Sequence, residues 1–398
     1  MFLQCSHQAR LLQRQVPLLS SRSRWASSSV TTRSVDSSLA DNINAKRLAL
    51  SQWHGRSSVS GVIATVFGTN GFLGQYLVNA LGKIGSRVVA PTRRADLLDV
   101  HHLKLMGDLG QIRLVQYDPR DLDSLRTVIR GSNVVINMIG NRMETRNYSY
   151  HDIHVNIVKA IATAAKDEGV DQFIQVSTMG ADLNAESEFF KTKAEGEIAL
   201  RKLYPDAVVI RPAIMFGDGD ALYWRMSCYI KQYSILPFFP VFNLNRKIQP
   251  AGGVDVAQAI VQAVKHGAET AGRTYELAGP DVMTIGDCWE RVANLLEKRF
   301  DYIELPFPIM GALGKFYSKM AYSYQATNYD EIVQWKTDLL PSEGSLGFSD
   351  LNMIPRTLRE DEMNLVYANR QTFEWGYENS IETIFYESAR ADKTRRIW

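Results

Sequence analysis

The feature that most restricts the fold of this chain is a glycine-rich turn that directly follows a short β-branched run. The run, Val62–Phe67, has the composition of a buried parallel strand. The turn consists of seven consecutive residues, Gly68, Thr69, Asn70, Gly71, Phe72, Leu73 and Gly74. A helical pattern of apolar residues follows and ends near Gly82 or Gly85. A strand, a glycine turn and a helix in this order are typical of a dinucleotide-binding site.

Each glycine of the turn has its own role in such a site. Gly68 allows the tight turn, Gly71 lets the backbone approach a pyrophosphate, and Gly74 lets the helix pack closely. The diphosphate lies at the helix N-terminus, where free N–H groups and the helix dipole favour negative charge. We therefore expect all seven residues of the turn to contact the cofactor.

The end of the second predicted strand, Arg87–Ala90, indicates which dinucleotide the site prefers. A site for NAD usually carries Asp or Glu here, which accepts hydrogen bonds from the ribose 2′-hydroxyl. This chain has Arg93 and Arg94 instead, and guanidinium groups bind a 2′-phosphate that a carboxylate would repel. The sequence therefore predicts NADPH, and we expect Asp96 and Asp99 to cap or solvate the next helix.

Further short apolar runs recur at the spacing of βαβ units, which predicts an α/β fold with a doubly wound parallel sheet. The strand ends of such a sheet form the ligand crevice. The residues that follow or end these strands, and are therefore candidates for cofactor contact, are Asp118, Ile139, Gly140, Ser177 and Pro212. For Asp118, a role as a helix cap is an open alternative to a place near the adenine.

The pattern also predicts a division of the folded part of the chain. Residues 59–218 form the nucleotide-binding domain, and residues 219–300 form a smaller second lobe with a strand that returns to the sheet. Within the second lobe, Val254–Val264 reads as an amphipathic helix and Arg273–Leu277 as the returning strand. Residues 301–398 form a C-terminal extension.

This order of motifs resembles the extended and atypical short-chain dehydrogenase/reductase superfamily over roughly residues 60–300. The matching segments read GTNGFLG, NMIG, QVSTMG, FFKTK and IRPAIMFGDGD. In that superfamily a Ser or Thr after the fifth strand polarises the substrate, a role that the resemblance assigns to Ser177 or Thr178. A Tyr-x-x-x-Lys pair follows, whose lysine corresponds to Lys193 and holds the nicotinamide ribose. Phe189 occupies the position of the tyrosine.

The missing hydroxyl at Phe189 has a chemical consequence. Hydride transfer to or from a carbonyl needs a proton at the oxygen, and a positioned acid or base contributes ~10²–10⁴-fold. Phenylalanine fills the volume without a proton to give, whereas Lys193 can still bind ribose hydroxyls. We therefore expect a bound cofactor without ordinary dehydrogenase chemistry. The alternative is a mitochondrial NADP-dependent reductase or epimerase in which Tyr148 or Tyr150 supplies the proton.

The N-terminal segment has the composition of a targeting sequence. Residues 1–35 contain five arginines, many serines and no Asp, Glu or Lys, which is typical of a mitochondrial transit peptide. A disordered basic tail is the alternative. Residues 36–58 read as a polar linker.

Together these features resemble the family of short-chain-dehydrogenase-like accessory subunits of mitochondrial respiratory complex I. The resemblance runs from about residue 58 to about 340 and includes NMIGNRMETRNYSYHDIHVN, FIQVSTMGA and GRTYELAGPDVMTIGD. It implies a tightly held NADPH, a place on the matrix side of the inner membrane with other complex I subunits as partners, and a role in assembly or stability. The stretch 303–324 is apolar and aromatic, which favours contact with a partner or with the membrane interface; packing inside the chain is the alternative. The tail 388–398 is a candidate docking segment.

Composition excludes several other classes of protein. Nucleic-acid binding is not indicated, because the formal charge is only +2 and the sequence has no basic stripe with interleaved aromatics. Three cysteines without a CxxC pair make a disulfide framework and a zinc site improbable. No apolar run reaches the ~18 residues needed to span a bilayer.

Overall fold

The computed structural model describes residues 59–94, 98–232, 239–296, 302–320 and 327–358. The predicted transit segment 1–35, the linker 36–58 and the tail 388–398 lie outside the described residues.

Seven parallel strands form the central sheet. Their bounds are β1 Ile63–Phe67, β2 Arg87–Thr92, β3 Ile112–Gln116, β4 Val134–Asn137, β5 Gln172–Val176, β6 Val208–Pro212 and β7 Thr274–Leu277. Their order across the sheet is β7-β6-β5-β4-β1-β2-β3, and every neighbouring pair is parallel. The order reverses between β1 and β4, which is where doubly wound sheets bind their ligands. The predicted fold class is confirmed.

Helices cover both faces of the sheet. The longer helices of the described residues are α1 Phe72–Lys83, α2 Leu122–Ile129, α3 Ile157–Asp167, α4 Glu188–Leu203, α5 Tyr223–Gln232, α6 Gly253–Lys265, α7 Ile285–Leu295, α8 Phe307–Met320 and α9 Tyr329–Gln334. Shorter helical segments are Leu98–His101, His102–Met106, Asp152–Asn156, Gly267–Thr270 and Ser349–Leu351. The segment 152–156 is a π turn that leads directly into α3.

The two faces of the sheet bury separate apolar layers because successive strand residues point to opposite sides. In β1, Ala64 and Val66 belong to the layer under α1 and α6, whereas Phe67 belongs to the layer under α2 and α3. All three side chains are fully buried. This burial on both faces explains why the strands read as continuous apolar runs rather than alternating ones.

The segment between β6 and β7, within the predicted second lobe, contributes a helix to the main layers. Helix α6 confirms the predicted helix Val254–Val264, and it packs against α1. Strand β7 confirms the predicted return of Arg273–Leu277 and pairs with β6. The remaining strands form three short pairs, Met215–Phe216 with Ala251–Gly252, Phe239–Val241 with Tyr302–Glu304, and Lys247–Ile248 with Met283–Thr284.

The apolar stretch predicted at residues 303–324 contains the short strand Tyr302–Glu304 and helix α8. Ile303, Ile309 and Phe316 are about half exposed there. Within the described part of the chain, no helix combines the length and the hydropathy needed to cross a membrane.

Candidate functional site

The glycine turn has the geometry that its sequence predicts. Gly68 has φ +84°, a left-handed conformation that side-chain-bearing residues rarely adopt. A Cβ at Gly68 would also lie 3.0 Å from the carbonyl carbon and oxygen of Met138. Gly74 leaves still less room, because its Cβ would lie 2.5 Å from the carbonyl oxygens of Gly68 and Thr69. Close contact of the turn with Met138, which directly follows β4, and with helix α1 therefore depends on glycine at both positions.

Helix α1 presents an uncapped N-terminus beside the turn. Its N-cap residue, Gly71, offers no side-chain cap, and Asn70 and Gly71 are exposed. Leu73 is buried in the core, and Phe72 packs between the positions of Gly217 and Gly253. Phe72 and Leu73 therefore offer a ligand their backbone N–H groups rather than their side chains. This arrangement favours a bound anion.

Two buried hydroxyl groups line the crevice without a partner. Thr69 Oγ1 in the glycine turn and Ser177 Oγ at the end of β5 are inaccessible and make no hydrogen bond among the described residues. Buried polar groups are normally paired, so an unpaired hydroxyl at a crevice points to a ligand. Together with the uncapped helix and the space that glycine leaves, these hydroxyls fit a dinucleotide.

The end of β2 carries the predicted arginines at the surface. Arg93 and Arg94 directly follow the strand and are exposed. Burial raises the pKa of the Tyr117 hydroxyl to about 12, and the charge of Arg93 opposes that rise, so Arg93 lies near the end of β3. Both guanidinium groups are accessible to a phosphate at this edge of the sheet.

Asp118 does not cap the helix that follows it. The N-cap of α2 is Asp121, whose side chain accepts the backbone N–H of Asp123 at 3.1 Å. Asp118 is exposed, and its Oδ1 accepts the backbone N–H of Arg120 at 3.0 Å. The alternative of a helix cap is therefore wrong, and a place near the adenine stays a prediction for Asp118.

The residues at and after the end of β4 contact β5 and α4. Asn137 at the end of the strand is fully buried; its amide donates to Gln175 Oε1 at 2.9 Å and its oxygen accepts the Ile139 N–H at 3.1 Å. Gly140 lies close to Lys193, because a Cβ at Gly140 would be 3.2 Å from Lys193 Nζ. The glycine therefore leaves room for the lysine, although 53 positions separate the two residues.

Lys193 is a buried cation on α4. Burial lowers the pKa of its amine to about 8, while the Glu197 carboxylate acts in the opposite direction. Glu197 itself binds Arg211, with 2.7 Å between Glu197 Oε2 and Arg211 Nη2. Lys193 Nζ makes no hydrogen bond and no ion pair with another described residue. Its ammonium is therefore available to a ligand. Pro212 at the end of β6 is buried, and its carbonyl accepts the Met179 N–H at 3.0 Å.

Phe189 lies one helical turn before Lys193 and packs in an aromatic cluster. Its ring centroid is 5.2 Å from that of His154, 6.0 Å from Tyr150 and 5.9 Å from Lys193 Nζ. The structure therefore places a phenyl ring beside the lysine, where the superfamily resemblance expects a hydroxyl.

Of the two alternative tyrosines, Tyr150 has its hydroxyl in hydrogen bonds and Tyr148 has its ring against an arginine. Tyr150 is buried, its hydroxyl donates to the Arg142 carbonyl at 2.7 Å, and Asn328 donates to that hydroxyl at 3.2 Å. Burial raises the pKa of Tyr150, so its proton is held more firmly than usual. Tyr148 packs under the Arg120 guanidinium, which lies 4.5 Å from the ring centroid.

Sequence reasoning did not find His154. It is buried in the π turn, and its Nδ1 lies 2.9 Å from Thr192 Oγ1. Burial, and to a lesser degree the Lys193 charge, lower the pKa of His154 far below its usual range, so the ring is neutral. Thr192 donates to the Glu188 carbonyl at 2.7 Å, which leaves His154 as donor through Nδ1 and Nε2 as an unpaired buried acceptor.

We call residues 68–74 with Arg93 and Arg94 the glycine-turn end of the crevice. We call Ser177, Phe189 and Lys193, with Tyr150 and His154, the lysine end. No group of His, Cys, Asp and Glu suited to a metal ion occurs in the described ranges.

Comparison with known proteins agrees with this geometry. Residues 68–214 match the NAD(P)H-binding family. The chain is 40% identical over 343 residues, 83% of its length, to the mitochondrial NADH dehydrogenase (ubiquinone) 1 alpha subcomplex subunit 9 of Arabidopsis thaliana, and covers 85% of that protein. It is 37% identical to the protein of the same name from Mus musculus, with 81% of this chain and 84% of that one aligned. This chain belongs to the alpha subcomplex subunit 9 family. The residues that match the NAD(P)H-binding family include the glycine turn and Lys193.

The fold also matches solved structures. An NADPH-dependent quinone oxidoreductase from Escherichia coli, in complex with NADPH, superposes with a TM-score of 0.60 at 20% identity. The match covers 76% of this chain and 99% of that one. At this identity the likeness shows the fold, an enzyme-type Rossmann architecture, and not the activity.

Proposed function

We propose that this chain is a non-catalytic accessory subunit of mitochondrial complex I that holds NADPH as a structural ligand. The observation that carries the proposal is the lysine end of the crevice. Lys193 is buried, and the Ser177 hydroxyl is buried and unpaired among the described residues, but the ring beside Lys193 is Phe189. Members of its family carry the name of an NADH dehydrogenase alpha subcomplex subunit, which supports the assignment to the complex.

NADPH is favoured over NADH by charge at the glycine-turn end. Two exposed guanidinium groups follow β2, and the exposed carboxylate of Asp118 follows β3 rather than β2. Arginine binds a phosphate through several N–H groups at once, whereas NADH offers only a hydroxyl at this position. In this proposal, the phosphate and hydroxyl oxygens of the nucleotide accept hydrogen bonds from the unpaired donors of the crevice.

The residues divide into those that hold the nucleotide and those that face other subunits. In residues 59–218, we assign the diphosphate to the glycine turn (Gly68, Thr69, Asn70, Gly71, Phe72, Leu73, Gly74) and the 2′-phosphate to Arg93 and Arg94. Asp118, Ile139, Gly140, Ser177, Lys193 and Pro212 line the rest. In residues 301–398 we expect the contacts with other subunits or the membrane arm, because Ile309 and Phe316 of α8 are half exposed. From these expected contacts we infer a role in the assembly or stability of the complex on the matrix side.

A native gel of detergent-extracted mitochondria tests the assignment. We expect an antibody against this chain to detect it in the band of the intact respiratory complex. A control antibody against a catalytic subunit should mark the same band. Detection only as a small free protein would contradict the proposal.

A further inference from the structure

Helix α4, which carries Phe189 and Lys193, is capped by a residue far away in the sequence. Its N-cap residue, Ser187, makes no local cap bond. Instead, the Ser187 hydroxyl and the Phe189 N–H donate to Asp330 Oδ2 at 2.8 and 3.3 Å. The Glu188 N–H donates to Oδ1 at 2.8 Å. The Asp330 carboxylate thus satisfies donors that a helix start otherwise leaves free.

The segment that supplies Asp330 is fixed on its other side to the second lobe. We call residues 327–334 the capping segment; it contains α9. Its Glu331 is buried and pairs with Arg225 of α5, with 3.1 Å between Oε2 and Nη2. Burial alone would raise the pKa of Glu331, but Arg225 and Arg142 hold it below its usual value.

The same segment touches the aromatic cluster of the lysine end. Asn328 donates to the Tyr150 hydroxyl at 3.2 Å, and the Tyr150 ring packs against Phe189. Polar contacts from Asn328, Asp330 and Glu331 therefore join Tyr150, the start of α4 and helix α5. The first turn of α4 is held by this segment, and Lys193 follows it one turn later.

We propose that Asp330 is a positioning residue for nucleotide binding, which acts on Lys193 through the first turn of α4. Docking of the capping segment and binding of the nucleotide then stabilise each other, because a coupling between two sites is reciprocal. The inference rests on the proposed function only in that the crevice holds NADPH.

Binding of NADPH to variants of the full chain, measured by titration calorimetry, tests this inference. For Asp330→Ala we expect the Kd to rise about fivefold, the effect of losing a typical helix cap. Asp330→Asn keeps an acceptor oxygen and should restore most of the affinity. The matched control is Asp338→Ala, because Asp338 lies on the same C-terminal stretch but, among the described residues, accepts a hydrogen bond only from the Lys247 N–H, at 2.9 Å. Its Kd should not change.

Equal affinity in Asp330→Ala and the wild type, or an equal loss in Asp338→Ala, would overturn the inference. If the wild type itself does not bind NADPH, the proposed function fails, and the inference fails with it. If the wild type binds NADPH and Asp330→Ala binds it equally well, only the inference fails. If the alanine variant does not fold, hydrogen exchange of the wild type tests the coupling between the capping segment and the nucleotide instead. We expect NADPH to slow exchange across residues 327–334. Unchanged exchange there, while the glycine turn is protected, would overturn the coupling.

Discussion

At the glycine-turn end of the crevice the chain offers backbone and surface arginines, whereas at the lysine end it offers buried side chains from distant segments. The turn depends on glycine at positions 68 and 74, where any Cβ meets carbonyl groups. The lysine end depends on Phe189 and Lys193, which are held by contacts from residues 150, 154 and 330. The difference separates binding from reaction. The glycine-turn end keeps the groups expected to bind a dinucleotide, whereas the lysine end has a phenyl ring, Phe189, at the position where the superfamily resemblance expects a hydroxyl.

The largest expected effect is at the glycine turn. In Gly74→Ala the new Cβ would lie 2.5 Å from two backbone carbonyl oxygens, so the turn or α1 must move. We expect loss of nucleotide binding and a fall of about 1–3 kcal/mol in the free energy of unfolding. Calorimetry and chemical denaturation measure the two effects. Gly347→Ala is the control, because its Cβ would meet nothing closer than 3.8 Å. Normal NADPH binding by Gly74→Ala would contradict this account of the turn.

The next effect separates the two nucleotides. Replacing Arg93 and Arg94 together by alanine removes the two exposed guanidinium groups after β2. Each charge-assisted bond is worth about 1.5–3 kcal/mol, so we expect the Kd for NADPH to rise at least tenfold. The Kd for NADH should change little. An equal loss for both nucleotides would show that these arginines do not read the 2′-phosphate.

Lys193 should show opposite effects on stability and binding. Lys193→Met removes a buried ammonium, so we expect the nucleotide-free protein to gain on the order of 2 kcal/mol at neutral pH. The same change should weaken NADPH binding, because the donor to the ribose is lost. Thermal unfolding and titration measure the two quantities. A variant that is both less stable and normal in binding would contradict this role.

The pH dependence of the wild type follows from the same lysine. Its folded pKa is about 8, against 10.5 in the unfolded chain, so the unfolded state binds the extra proton between these values. Stability from this group therefore rises as pH increases from 8 to 10.5, and the burial penalty is complete below pH 8. NADPH affinity should fall over the same range as the ammonium is lost. Lys193→Met should flatten both profiles.

The smallest effect concerns the tyrosine that could replace the missing hydroxyl. The Tyr150 hydroxyl bonds to the Arg142 carbonyl and to Asn328. Tyr150→Phe should therefore cost about 1 kcal/mol of stability and leave nucleotide binding unchanged. Should the wild type turn over a carbonyl substrate and Tyr150→Phe abolish it, Tyr150 would be the acid and the alternative of an active reductase would gain.

The sequence predicts the glycine-turn end better than the lysine end because the first is local. Strand β1, the turn and α1 are continuous from Ile63 to Lys83, and short-range periodicity is sufficient to define them. The substitution at Phe189 is equally visible. By contrast, the cap of α4 comes from Asp330, 143 positions after Ser187, and no local pattern marks it.

Two further details depend on packing that the sequence does not specify. The buried role of His154 arises from a π turn, which the apolar periodicity of the region does not distinguish from an ordinary helix start. Either Asp118 or Asp121 satisfies the preference for a helix cap, and only the backbone path after β3 selects Asp121.

The fate of the nicotinamide in the purified full chain tests the central claim most directly. The protein is loaded with NADPH, freed of excess ligand, and mixed with a panel of quinones and aldehydes while the absorbance of the reduced ring is followed. We predict that the nucleotide stays bound and reduced, and that release under alkaline conditions, in which the reduced ring survives, recovers NADPH. Steady consumption of NADPH by the isolated chain would contradict the account.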